Sequence, residues 1–326
     1  MDLAEALALP TLAGDLARVE SALKASVASD DPFLTDVATH LIGAGGKRLR
    51  PLLALCAGYA GGTRPASEEV VTGAVAVELV HLGSLYHDDV IDEASTRRGV
   101  ESVNARWSNI VAILAGDYLL ARASSLAASL GVEVAGILAA TIGELCKGQV
   151  LELQKLFDVD RDETAYFGSI SGKTASLMAS SCRIGALVGG LPREAVETLT
   201  VFGRHVGLAF QIVDDVLDLT ASEEDLGKPS GLDLAEGIYT LPVIYALRRS
   251  PQLRELLGGP LDAGAVSEGR KLTCSDGAVG AAMTVAEDHA AAAAHCLDQV
   301  DLDPEVAAGL RRLCRLIIDR SEAPVP

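Results

Sequence analysis

At 326 residues and 49% hydrophobic, the chain has material for a substantial core and length for one large domain or two ordinary ones. Only 4% is aromatic while Ala and Leu abound, a composition that favours helices over strands. The net charge of −18, from 27 basic and 45 acidic residues, argues against a nucleic-acid backbone as partner. It also means that any phosphate site needs metal or a local basic cluster.

The six cysteines (56, 146, 182, 274, 296 and 314) form no Cys-x-x-Cys pair and are expected to be buried thiols in a reducing compartment. No charge-free apolar run reaches about 18 residues, so no membrane span is expected. The start, Met1-Asp-Leu-Ala-Glu, lacks the basic residues of a signal peptide. These features together lead us to expect a soluble cytoplasmic chain.

Apolar spacing predicts a first helix over 3–28. Asp30-Asp31-Pro32 predicts the start of a second, which ends at Gly43-Ala-Gly-Gly46. After Lys47-Arg-Leu-Arg50, Pro51 is placed in the first turn of a helix Leu52–Tyr59. Gly61-Gly-Thr-Arg-Pro65 reads as a loop. Ser67 is the expected N-cap of a long helix, with Glu68 and Glu69 favouring its dipole. Thr96-Arg-Arg-Gly99 breaks that helix. Further helices are predicted over 108–129, 132–157 and 162–188, and Gly189-Gly190 stops the last of these. Pro192 starts the next helix, 221–240 reads as a loop over the site, and Leu241–Arg249, 261–272, 276–299 and 304–320 complete an all-α chain. No strand alternation, linker or short tandem repeat is visible.

Two stretches carry the chemistry. His81-Leu-Gly-Ser-Leu-Tyr-His-Asp-Asp-Val-Ile-Asp92 and Gln211-Ile-Val-Asp-Asp-Val-Leu-Asp218 each hold Asp-Asp-x-x-Asp within an apolar, helix-compatible run. Helical residues advance about 100° each, so Asp88 and Asp92 share a face with Asp89 beside it. Asp214, Asp215 and Asp218 repeat the arrangement. Carboxylates crowded on one face repel each other, so two such clusters imply a cationic partner. A hard cation such as Mg²⁺ takes oxygen ligands and often holds substrate phosphates. One copy alone reads equally well as a solvated helix end; two copies, each with a polar neighbour on its stripe (His81 and Gln211), do not.

Gly45-Gly-Lys-Arg-Leu-Arg-Pro51 reads either as a helix C-cap with cations on the last carbonyls or as an anion site offering Lys47 and Arg50. Thr96-Arg97-Arg98-Gly99 reads either as local neutralisation of the first acidic cluster or as part of that anion site. Lys173-Thr174 and Gly227-Lys228, taken alone, read as surface residues.

In order and spacing these segments resemble the trans-isoprenyl diphosphate synthase (polyprenyl synthetase) family. The resemblance runs over residues 40 to 245 through Gly45–Pro51, Glu78–Asp92, Thr96–Gly99, Gly116-Asp117-Tyr118-Leu119, Gly148-Gln149, Lys173-Thr174-Ala175, Phe210–Asp218, Gly227-Lys228 and Thr240-Leu241-Pro242. It implies one all-α domain over 1–326, a helical bundle around a deep central cavity, with the two aspartate helices facing each other across its mouth. It further implies three Mg²⁺ ions held by Asp88, Asp92 and Asp214, with Asp89, Asp215 and Asp218 completing the shell. By the same resemblance Arg97, Lys173 and Lys228 contact an allylic diphosphate, and Lys47, Arg50, His81 and Arg98 hold isopentenyl diphosphate. Thr174 and Gln211 lie beside the allylic substrate. The implied reaction is head-to-tail condensation of isopentenyl diphosphate onto an allylic diphosphate by a homodimer whose lipophilic product favours proximity to a membrane.

One departure stands out: the family commonly has Gly-Lys-x-Thr-Leu-Pro where this chain has Gly237-Ile238-Tyr239-Thr240-Leu241-Pro242. Product length turns on small residues. The resemblance makes the positions four and five before the first Asp a block to chain growth when bulky, and here they are Ser84 and Gly83. With Val77 and Gly73 farther down, the wall reads as open, and a product of about C30–C50 is expected over C15 or C20. A bland reading gives Ser84 only a bond to a backbone carbonyl.

Competing readings are a metal phosphohydrolase using His87-Asp88, a terpene cyclase, and a non-catalytic subunit of a heteromeric synthase. The first leaves the second aspartate motif unexplained. The second ordinarily lacks that motif, and the third by resemblance lacks intact motifs altogether.

Overall fold

The structure, a computed structural model, describes residues 3–221, 230–275 and 277–320. The described chain is helical apart from one short hairpin, as the composition predicts. In chain order the elements are α1 Leu3–Leu7, α2 Leu12–Ser26, α3 Pro32–Gly43, α4 Leu49–Tyr59, α5 Glu68–Ile91, β1 Thr96–Arg97, β2 Val100–Glu101, α6 Val103–Arg106, α7 Asn109–Ser129 and α8 Val132–Leu153. Then come α9 Glu163–Ile170, a π turn Ser171–Ala175, α10 Ser176–Val188, α11 Arg193–Thr220, α12 Leu232–Ala235, α13 Leu241–Leu247, α14 Pro251–Leu256, α15 Ala263–Cys274, α16 Ala278–Cys296 and α17 Pro304–Asp319.

Local chemistry sets many boundaries. Asp31 caps α3 by accepting from the amides of Phe33 and Leu34, with Pro32 in the first turn. Ser67, Ser108, Asp162 and Asp262 cap α5, α7, α9 and α15 in the same way. Four expectations are corrected. The first helix breaks in two, because Ala8 adopts a positive φ of 50° ahead of Pro10. Helix α4 begins at Leu49, so Pro51 is its third residue; Arg48, in left-handed conformation, is the residue before the helix. Residues 96–101 form a hairpin, turning through positive φ at Arg98 and Gly99. The predicted loop 221–240 contains α12 in its described part.

The described residues group into two compact units, each assembled from separated stretches. Unit one takes Met1–Ile142, Leu177–Gly203 and Leu297–Leu310; unit two takes Gly143–Ser176, Arg204–Cys296 and Arg311–Pro326. Unit one packs around α5, which is buried on most of its circumference (Val70, Ala74, Val77, Leu79, Leu82, Tyr86). Helix α7 approaches α5 closely, since a Cβ on Gly83 would lie 3.0 Å from the Gly116 carbonyl oxygen. The Tyr86 hydroxyl donates to the Val37 carbonyl at 2.7 Å, tying α5 to α3. Unit two has a core of Leu219, Leu234, Tyr239, Val243, Leu247, Leu253 and Leu257.

Among the described residues three helices, α5, α7 and α8, are long and apolar enough to cross a membrane by length and composition. This differs from the expectation, which counted only charge-free runs; charges such as Glu78 and Asp117 interrupt those runs without making the helices polar. The apolar stretch of α5 is 72% buried within the protein, against 33% for α7 and 22% for α8. All six cysteines are free thiols, but Cys146 and Cys274 are exposed rather than buried as expected.

Candidate active site

The first aspartate motif ends α5 in unit one. Asp88 is half-buried, Asp92 is exposed, and Asp89 is fully buried. The Arg97 guanidinium donates to Asp89 Oδ1 at 2.6 Å, while Asp89 Oδ2 is buried with no hydrogen-bond partner. Arg97 thus neutralises the cluster locally, one of the two readings its position allowed. Burial raises the Asp89 pKa against the pull of Arg97.

A nest of arginines lies behind this end. Arg48, buried before α4, donates to Glu78 at 2.9 Å, to the Ile42 carbonyl at 3.0 Å and to Glu20. Arg98 donates to the carbonyls of Leu41 and Gly45, and its guanidinium packs so closely on Gly46 that a Cβ there would lie 2.9 Å away. The φ of 142° at position 46 favours glycine there. Burial, followed by the charges of Arg50, Arg98, Arg48 and Arg97, holds the His81 pKa well below the usual value, so the ring is neutral at pH 7. Lys47 is exposed and Arg50 half-buried beside it in sequence. The structure brings Arg48, Arg50, Arg98 and His81 around Glu78, a buried carboxylate whose pKa burial raises against the pull of Arg48, Arg50 and Arg98.

His87 is engaged by α7. Its Nε2 lies 3.2 Å from the Ile113 carbonyl oxygen and 3.4 Å from Asp117, with the ring against Gly116. Ser84 Oγ donates to the His81 carbonyl at 2.8 Å, the bland reading of that residue. Gly83 faces α7. The wall expected to be open at Gly73 is filled, since a Cβ there would lie 2.8 Å from Ile184.

The second motif lies in unit two and ends α11. Tyr166 donates to Asp215 Oδ2 at 2.6 Å, Gln211 donates to Asp215 Oδ1 at 2.8 Å, and Thr174 donates to Gln211 at 2.7 Å. Lys173 donates to the buried Glu152 at 2.6 Å. Asp214 accepts from Arg320 at 2.7 Å, and Arg320 stacks 4.8 Å over the Phe210 ring. Asp218 accepts from the Asp233 amide at 3.3 Å and so ties the first turn of α12 to α11. Lys228 and Gly227 lie outside the described residues.

Lys173 and Thr174 sit in the π turn, and glycines explain it. A Cβ on Gly148 would lie 2.4 Å from the Lys173 amide nitrogen, and one on Gly172 would lie 2.7 Å from the Glu144 carbonyl oxygen. Helix α8 and the π turn thus meet backbone to backbone, a distortion of a kind that recurs at functional sites. Sequence reading missed Glu152, Arg161, Tyr166 and Arg320. None belongs to a motif, and each is a single residue without a local signal of its own.

The carboxylate oxygens of Asp88, Asp92 and Asp214 are hard donors of the kind that suit a divalent cation, and the orphaned Asp89 Oδ2 fits a cationic neighbour. Among the described residues no three His, Cys, Asp or Glu side chains are gathered as a ready-made metal site.

The comparisons with known proteins agree with the motifs. The polyprenyl synthetase family profile matches residues 31–271. The chain belongs to the polyprenyl synthetase family. As a polyprenyl synthetase it is a prenyltransferase. It is 40% identical over 322 residues to the nonaprenyl diphosphate synthase of Mycobacterium tuberculosis, covering 97% of this chain and 95% of that protein. It is 46% identical over 237 residues to heptaprenyl diphosphate synthase component 2 of Geobacillus stearothermophilus, covering 72% and 73%. Its fold matches the crystal structure of a polyprenyl synthase from Caulobacter crescentus complexed with calcium and isoprenyl diphosphate, with TM-score 0.91, 32% identity and 98% of each chain covered.

In this polyprenyl synthetase, burial pushes the Asp215 pKa up to about 7; Asp214 and Glu152 add to the rise, while Tyr166 and Gln211 oppose it. Between the ordinary value of 3.8 and about 7, the folded chain keeps a proton that the unfolded chain has released. Stability of the metal-free protein should therefore fall as pH rises through that window and level off above it. Urea midpoints in chelator between about pH 5 and pH 8 should show this decline, and Asp215→Asn should flatten it. An equal slope in the variant would place the titrating group elsewhere.

Proposed function

We propose that the chain extends an allylic diphosphate by successive 1'-4 condensation with isopentenyl diphosphate, giving an all-trans polyprenyl diphosphate of about C30–C50. The observation that carries this is the pair of intact Asp-Asp-x-x-Asp motifs: in the first, Asp89 is held inside by Arg97 while Asp88 is half-buried and Asp92 exposed; in the second, Asp215 and Asp218 are buried on protein donors while Asp214 is half-buried. The nonaprenyl and heptaprenyl synthase relatives support the product range.

In this reading Asp88, Asp92 and Asp214 hold three Mg²⁺ ions, with Asp89, Asp215 and Asp218 behind them. Bound Mg²⁺ supplies positive charge that makes diphosphate a competent leaving group. Arg97, Lys173 and Lys228 contact the allylic diphosphate, with Thr174 and Gln211 beside it. Lys47, Arg50, His81 and Arg98 hold isopentenyl diphosphate, the neutral His81 as a hydrogen-bonding group. The allylic C–O bond breaks and its electron pair leaves with diphosphate. The π pair of isopentenyl diphosphate then forms the new C–C bond to the allylic carbon. A proton is lost from the adjacent carbon, restoring a double bond, and the released diphosphate takes it. Apolar helix faces exclude water from the cation.

Incubation with Mg²⁺, farnesyl diphosphate and labelled isopentenyl diphosphate, followed by product sizing, tests the proposal. A ladder ending between about C30 and C50 supports it, and no chain extension defeats it. Release of phosphate from a nucleotide would instead favour a phosphohydrolase, a reading weakened by the engagement of His87 with α7. Chain length is proposed to depend on Ser84 and Gly83. Because Gly83 is packed against α7, the variant to make is Ser84→Phe, which should shorten the product; an unchanged ladder would remove Ser84 from the elongation path.

The working form is proposed to be a cytoplasmic homodimer, its lipophilic product favouring proximity to a membrane. Ile110, Ile113 and Leu114 on one face of α7 are 70%, 44% and 61% exposed, more apolar area than a lone helix face ordinarily leaves to water.

A further inference from the structure

Unit two contains a cavity of about 90 Å³ whose walls include Glu152, Arg161, Lys173, Asp215, Asp233 and Ile238. Its charged and polar walls suit a polar group and not a prenyl chain. Among the described residues, Arg161 and Lys173 are its two cations. Lys173 is ion-paired with Glu152 at 2.6 Å. Arg161 is different.

Arg161 is 3% exposed. Its guanidinium donates to two neutral acceptors, the Tyr239 carbonyl oxygen at 3.2 Å and Ser169 Oγ at 3.1 Å, and it lies 5.8 Å from the centre of the Tyr166 ring. Its Nε is buried with no hydrogen-bond partner. Among the described residues no carboxylate bonds to it directly, and Glu152, Asp215 and Asp158 act on it only at a distance. A buried guanidinium without an ion-pair partner is costly unless an anion completes it. The bond to the Tyr239 carbonyl also fixes Arg161 to the residue next to Ile238, on the same cavity wall. That wall carries an apolar side chain where the family commonly has a lysine, so the charge enters from a different element.

We propose that Arg161 is the fixed cation of this cavity for the diphosphate end of the allylic substrate, supplying from the segment before α9 the positive charge that residue 238 does not. The inference rests on the synthase reading above. Arg161 also holds the 238–240 wall in place through the Tyr239 carbonyl. Its role is in substrate affinity, and isopentenyl diphosphate is untouched by it.

The test is steady-state kinetics of the full chain with Mg²⁺, varying each substrate in turn. Arg161→Gln should raise the allylic KM by about tenfold, the loss of about 1.4 kcal/mol of binding, and leave the isopentenyl diphosphate KM unchanged. Arg161→Lys, which keeps the charge, should recover most of the loss. Arg161→Gln combined with Ile238→Lys should recover it too, because the new cation stands on the same wall. A purely structural role predicts that both KM values move together and that Ile238→Lys restores nothing; either result overturns the proposal, as does an unchanged allylic KM in Arg161→Gln. Should that variant fail to fold, Ile238→Lys alone decides: a lower allylic KM supports the proposal and an unchanged one overturns it. Absence of chain extension by the wild-type protein would refute the synthase reading itself, a result separate from any of these.

Discussion

Replacing Asp88 by alanine is expected to lower turnover by about 100- to 1,000-fold while leaving the fold intact, since the loss of one preorganised charge-stabilising group costs that much where charge develops on a leaving group. Asp88 is the clean choice among the three acids of its motif. It is half-buried at the end of α5, so its truncation opens no cavity in the core. Asp89 is not clean. It is fully buried against Arg97, and removing it strands a partly buried guanidinium, a change that costs about 3–5 kcal/mol of stability in comparable buried pairs. Product formation at saturating substrates, with unfolding midpoints measured alongside, separates the two effects. Near-normal turnover in Asp88→Ala with a normal midpoint would remove Asp88 from the metal-binding set.

Gly148→Ala is expected to damage both stability and turnover. The added Cβ would lie 2.4 Å from the Lys173 amide nitrogen, 2.7 Å from the Ser169 carbonyl oxygen and 2.8 Å from the Gly172 carbonyl carbon. All three are backbone atoms, which cannot swing aside as a flexible side chain can. The helices must separate, at a cost of about 1–3 kcal/mol for overpacking. Lys173 and Thr174 would move with the π turn, and a misplacement of about 1 Å at a substrate-positioning group can cost up to about 100-fold in rate. Gly143→Ala is the control, because a Cβ at that position of the same helix meets nothing within 4 Å. The prediction fails if both variants unfold at the wild-type urea concentration and turn over alike.

Much of the fold was legible because its punctuation is local. Asp31-Pro32, Ser67-Glu-Glu69 and Gly189-Gly190 announce helix ends through capping and breaking chemistry that acts within one turn. The aspartate motifs were legible because three acids crowded on one apolar helix repel each other and so call for a cation. What escaped notice depends on the third dimension. Strands of two residues are too short to show alternation, so the Thr96–Glu101 hairpin left no trace. The π turn at Lys173 exists because Gly148 and Gly172 let two backbones touch, and no window of sequence contains both helices. Arg48 reads as one more cation of a basic motif, yet it is buried on Glu78 and Glu20, which lie 30 positions later and 28 earlier. Gly73 and Gly83 read as open space, but each small residue was filled by a neighbour from another helix. The aromatic donor Tyr166 and the C-terminal Arg320, which fix the orientation of Asp215 and Asp214, could not be singled out before their contacts were known.

The interleaving of the two compact units bears on how the chain is made. Each unit is assembled from three separated stretches, the last of them near the C-terminus, and α17 is divided between them at Leu310 and Arg311. A ribosome must therefore release nearly the whole polypeptide before either unit has all its pieces. Until then, the apolar faces of α5 and α11 lack their final cover, and holdase chaperones would find their natural substrate in that interval. Deletions that stop short of α17 should accumulate in inclusion bodies rather than yield a smaller soluble enzyme.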